Sequence, residues 1–115
     1  MREILFRGKR HLDGKWVEGY LDHVDGYDAY TISEYFVDES TIGQYTGLKD
    51  KNGKRIFEGD IVKRRWNNYD CFIYKVVFDD TLCCFMAQRH RGFSSLDDDF
   101  EVIGNIHDNP ELLEG

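Results

Sequence analysis

The amino-acid sequence predicts an all-β fold, mainly antiparallel, and three observations carry that prediction. Turn pairs recur at short intervals, at Asp13-Gly14, Asp25-Gly26, Asn52-Gly53, Asn67-Asn68 and Asp79-Asp80. Asp-Gly and Asn-Gly pairs tolerate the positive φ values of tight hairpins, whose twist suits the flanking strands. The runs between them are rich in β-branched and aromatic residues, and helical periodicity is weak throughout. Short strands at this spacing predict a barrel or sandwich.

In chain order, the first hairpin turns at Asp13-Gly14. Runs from Trp16 to Val24 and from Asp28 to Phe36 then read as strands. The second clear hairpin turns at Asn52-Gly53. Three further strands are expected over Ile61 to Trp66, Cys71 to Phe78 and Leu82 to Gln88. Neither of the last two alternates with polar residues as a strand with one solvated face should. Phe72, Tyr74, Val76 and Phe78 share one face, while Cys71, Ile73 and Val77 share the other with Lys75. Such strands are either covered on both sides or meet another subunit, so Phe72, Tyr74, Val76 and Phe85 are candidate interface residues. Phe57, Phe72 and Phe78 are core candidates. After a polar stretch through Arg89, His90, Arg91 and Gly92 to Ser95, and a loop of acids, a final strand leads to the C-terminus. There Asn109 is expected to cap a short helical turn, with Pro110 at its first position and Glu111 at its positive end.

A chain of 115 residues fits one domain, or one domain with a small lobe. Its 22 Asp and Glu against 15 Lys and Arg give a net charge of -7, which repels phosphate backbones and anionic lipid unless a basic patch overrides it. Charge is also blocked. Seven acids and no Lys or Arg lie between Glu18 and Ile42, and the same holds from Asp97 to Glu114, whereas seven basic residues and three acids lie from Lys49 to Arg65. Three cysteines without framework spacing read as reduced thiols, and with no signal-peptide core or membrane-length apolar run the expected location is cytoplasmic.

The chemistry-bearing residues are few. Lys49, Lys51, Lys54 and Arg55 surround one hairpin, and Lys63, Arg64, Arg65 and Trp66 follow on the next strand, with Tyr69 beyond. Charge interleaved with aromatics is how small barrels bind nucleic acid. Strand alternation places Lys63 and Arg65 on one face and Arg64 and Trp66 on the other, which disfavours that use. Cys71, Cys83, Cys84, His90 and His107 lack the paired spacing of a zinc site. Cys83 and Cys84 are expected to be buried thiols of a core strand. A nucleophile built on Cys84 with His90 lacks an accompanying oxyanion pattern. Asp97, Asp98 and Asp99 lack the alternating spacing that directs carboxylates to one cation. No cofactor or metal is therefore expected. In Glu58-Gly59-Asp60, the glycine is expected to take a conformation closed to other residues and Asp60 to bond nearby backbone amides.

TGLKDKNGKRIFEGDIV, Thr46 to Val62, resembles the hallmark segment of the YopX-like proteins of phages, prophages and mobile elements. Arg2 to Leu21 is similar to that family's opening segment, and Phe100 to Leu113 to its closing one. The resemblance implies that residues 46–115 form a small SH3-like β-barrel; residues 1–45 are expected to form an N-terminal β-meander lobe, separate from it or continuous with it as one domain. It implies no established activity and no catalytic residues. The leading expectation is a non-enzymatic, phage-type module that associates with itself and with a phage or host protein. A nucleic-acid accessory protein using residues 49–66 is the alternative, and a small enzyme centred on Cys84 and His90 the third.

Overall fold

The computed structural model describes residues 3–114, so Arg2, which opens the first family-like segment, lies outside the described residues. The chain divides into two compact units that meet between Gly47 and Leu48 in sequence. Every named strand pairing is antiparallel.

The first unit holds β1 (Phe6–Lys9), β2 (Trp16–Gly19), β3 (Leu21–Val24), β4 (Ala29–Ile32), β5 (Tyr35–Val37), and the beginning of β6 (Gly43–Lys49). β1 lies between β2 and β6, while β3, β4 and β5 form a separate meander. Ile32, Val37 and Tyr45 are buried. Gly8 lets β1 approach that cluster, because a Cβ there would stand 3.1 Å from the Val37 Cβ. A 3-10 turn, Glu39–Thr41, is tied back to β1: the Lys9 N–H donates to the Thr41 hydroxyl at 2.9 Å, and that hydroxyl donates to the Asp38 carbonyl. The strand expected from Trp16 to Val24 breaks at Tyr20, and the one expected from Asp28 to Phe36 turns at Ser33 and Glu34, both at positive φ.

The second unit contains β7 (Arg55–Phe57), β8 (Asp60–Arg65), β9 (Cys71–Asp79), β10 (Cys84–Arg89), β11 (Gly92–Ser95) and β12 (Glu101–Asn105). Five of these form one sheet in the order β11-β10-β9-β8-β12, with a bulge in β12 between Val102 and Gly104. Its core gathers Ile56, Val62, Val76, Ala87 and Phe100, with Tyr74, Leu96 and Val102 packed against them. Register explains the grouping, since Val62 opposes Tyr74 and Val102, and Val76 opposes Ala87, all on one face of the sheet. Pro110–Leu113 is a 3-10 turn. Asn109 makes no side-chain cap; its carboxamide oxygen instead accepts from the Asn105 N–H at 3.3 Å.

Three further expectations change here. Phe57 is buried as expected, but Phe78 is 43% exposed and Phe72 half-buried. Phe78 opposes Phe85 near the end of the β9–β10 hairpin, beyond the core, where the two rings stack edge to face at 5.2 Å. Cys83 and Cys84 are exposed and not core thiols, because Cys83 sits in the hairpin turn at φ 53 and Cys84 only begins β10. The polar stretch after Arg89 is a strand, β11, which runs back along β10 after a turn at His90 with φ 55.

Candidate functional site

The family-like segment is built as a scaffold. In the β6–β7 hairpin, the Asp50 N–H donates to the Lys54 carbonyl and Gly53 takes φ 83. The buried Asp50 carboxylate accepts from the N–H groups of Asn52, Lys54 and, 52 residues away in sequence, Val102, all at 2.9 Å. Burial pushes the Asp50 carboxyl upward, but these three bonds, with the Lys54 charge, outweigh it and hold it below the ordinary value of 3.8. At the β7–β8 corner, Gly59 takes φ 91 and the Phe57 N–H donates to the buried Asp60 carboxylate at 2.7 Å, in keeping with the roles expected of both residues. These acids hold backbone.

The basic residues do not converge into one free surface. Lys51, Lys63, Arg64 and Arg65 line a cleft of about 390 Å³, but Cys71, Asp99 and Glu101 line it with them. Lys63 and Lys51 both pair with Glu101, at 3.4 and 3.8 Å. Arg64 crosses to the other sheet face, pairs with Asp97 and lies 4.1 Å over the Phe100 ring. Alternation along β8 separates it from its neighbours in this way. Lys49 and Lys54 are exposed on the hairpin, Arg55 is half-buried on β7, and Trp66 stands 69% exposed after β8.

The proposed pairing of Cys84 with His90 is overturned by the ladder. These residues flank β10 at its two ends, six positions apart, and so roughly 20 Å at an extended rise per residue. His90 instead joins Cys71, Phe72, Ile73, Lys75, Gln88, Arg89, Leu112 and Leu113 around a cleft of about 500 Å³. Nothing in the residue pattern signals this convergence, because it depends on the C-terminal turn packing beside β9. Asp97 takes part in the Arg64 pair and accepts the Asp99 N–H at 3.0 Å, so the acidic triplet shapes its own loop. Among the described residues no group of three His, Cys, Asp or Glu side chains is placed to share a metal ion.

The candidate interface residues lie largely inside the second unit. Val76 is 1% exposed and is core, not interface, because β9 and β10 present this face to Phe100. Tyr74 stacks edge to face on Phe100, Phe85 on Phe78, and Phe72 lies beneath the Arg89 guanidinium at 4.2 Å. Exposed apolar side chains around these strands include Phe78, Leu82 at the hairpin turn, Phe93 on β11, and Trp66 and Tyr69 at the β8–β9 turn.

The crystal structure of protein EF1440 from Enterococcus faecalis is similar over 98% of this chain and 99% of that one, with a TM-score of 0.63 and 27% identity. No curated protein matches the chain. The family model described as YopX protein matches residues 3–114, from before β1 to past the last 3-10 turn, and the chain therefore belongs to the YopX family.

Proposed function

We propose that this YopX-family protein is a non-enzymatic association module of phage or prophage type, which assembles with itself and docks on a phage or host protein in the cytoplasm. One observation carries the reading: Phe78 and Leu82 are 43% and 57% exposed at the β9–β10 hairpin end of a sheet whose core is already filled, and Phe93, on the opposite sheet face of β11, is 46% exposed. Large apolar side chains left open at the edges of a filled core favour protein contact, since burying each removes apolar area from water. The sheet order, with the last strand beside the first and a three-stranded meander following the first, supports an SH3-like barrel for the second unit. Sedimentation at micromolar concentration tests the reading. A mass above the 13.6 kDa of one chain is expected, and a monomer throughout that range overturns it.

A second reading rests on Trp66 and Tyr69, 69% and 93% exposed at the β8–β9 turn beside Arg65. Aromatics next to a cation are a stacking platform for unpaired bases. The carboxylates on Lys51, Lys63 and Arg64 weigh against it.

A further inference from the structure

β11 is an outer strand of the five-stranded sheet. Its residues Gly92, Phe93, Ser94 and Ser95 pair with β10 on one side, and among the described residues no backbone bond outside that ladder reaches them. Proteins protect such edges with lysine, proline, inward-pointing charge or a bulge. β12, the opposite edge, carries a bulge and Glu101. β11, four residues long, is protected only by its shortness, and it exposes a phenylalanine.

The flanking sequence says what covers it. From Arg89 to Asp99 the chain reads Arg-His-Arg, then the uncharged Gly-Phe-Ser-Ser-Leu, then Asp-Asp-Asp. Turned antiparallel about Ser94, the β11 edge meets a copy of itself with Arg91, at the β10–β11 turn, toward the Asp97–Asp99 loop of the copy, while Arg89 stays on β10 opposite Gly92. A parallel arrangement sets like charge beside like charge. Arg91, Asp98 and Asp99 are exposed, and no ion pair joins any of them to another described residue. The segment is thus self-complementary in charge under a two-fold axis, the condition for an isologous interface, although the chain as a whole carries -7 and repels its copies.

We infer that a second copy of this chain pairs antiparallel with the outer edge of β11, on a two-fold axis near Ser94, joining two five-stranded sheets into one. The inference rests on the self-association proposed above and names its surface. Main-chain bonds between the two edges supply affinity, as in strand addition generally. Arg91 and the Asp cluster fix direction and register, and placing like charges together is costly. Phe93 of each copy lies close to the axis.

The test uses the full chain in three forms: unaltered, Arg91→Glu, and Asp98→Lys with Asp99→Lys. Each altered form places like charges across the axis, and its self-association should weaken about tenfold or more in sedimentation. Mixed in equal amounts, the two altered forms set the new carboxylate at position 91 of one copy against the new ammonium groups of the other, and association should recover. Amide exchange supplies an independent reading, with residues 92–95 of the unaltered chain slowing as concentration rises. An oligomer that is indifferent to these changes, with no recovery on mixing and no slowing at 92–95, overturns the β11 interface and leaves self-association standing. A chain that stays monomeric overturns both.

Discussion

Asp50 shows how one side chain can join distant parts of a β unit. Its carboxylate closes the β6–β7 hairpin and fixes β12 through Val102. Replacing it by Ala leaves three N–H groups without their acceptor, and we expect a loss of about 3 kcal/mol in urea unfolding. The pH dependence has a defined sign. A carboxyl held below 3.8 in the folded chain contributes stability that is complete above that value, and this contribution is lost as pH falls toward the folded-state value. Asp50→Asn should flatten that acid arm while also weakening the fold at neutral pH, because the amide group cannot accept all three bonds. An unchanged acid arm would show that other carboxyls govern it. Gly59 presents a simpler case, since a Cβ there meets only ordinary contacts with Ile106 at 3.7 Å. Gly59→Ala should therefore cost only the backbone strain of φ 91, about 1–2 kcal/mol in the same unfolding measurement.

Between the strands, what the sequence disclosed depended on how each turn was made. The turns at Asp13-Gly14, Asp25-Gly26 and Asn52-Gly53 all place the glycine at positive φ, so the residue type itself reported the geometry. The turns at Ser33-Glu34 and His90 take the same backbone region without glycine, held there by the strands they join. That concealed β5 as a separate strand and hid β11 entirely, and with β11 went the most informative edge of the molecule. Burial misled for a related reason. Period-two patterning identified the faces of β9 but not where along it the core ends, so Phe78 resembled Phe57 in sequence. We expect Phe57→Ala to cost about 3–5 kcal/mol and Phe78→Ala less than about 1 kcal/mol, read from paired chemical denaturation curves. Equal losses would place the core further along the β9–β10 hairpin. Glu34→Gly relieves the strain at φ 72, partly offset by added freedom in the unfolded chain, and should stabilise by about 0.5 kcal/mol.

Charge acts across longer distances, and for the chain as a whole it weighs against a nucleic-acid partner. The seven basic residues from Lys49 to Arg65 are followed by an acidic block of seven from Asp97 to Glu114. Linear sequence keeps those blocks apart; the β8–β12 pairing brings Glu101 directly opposite Lys63. Lys51, Lys63 and Arg64 are thus engaged by carboxylates, which a phosphate backbone would have to displace. Exposed pairs are individually weak, typically under ~1 kcal/mol, so each alone is displaceable. The net charge of -7 adds repulsion that no single rearrangement removes. We therefore expect no affinity for single- or double-stranded DNA or RNA tighter than roughly 10⁻⁴–10⁻⁶ M at physiological salt, the range of non-specific contact. Fluorescence anisotropy over a salt series checks this, with Lys63→Glu/Arg65→Glu as the altered chain. Submicromolar, steeply salt-dependent binding that is lost in that variant, and also on Trp66→Ala, would establish a base-stacking platform at the β8–β9 turn and displace the association reading. Weak binding insensitive to all three changes leaves the cations as internal partners of Glu101 and Asp97.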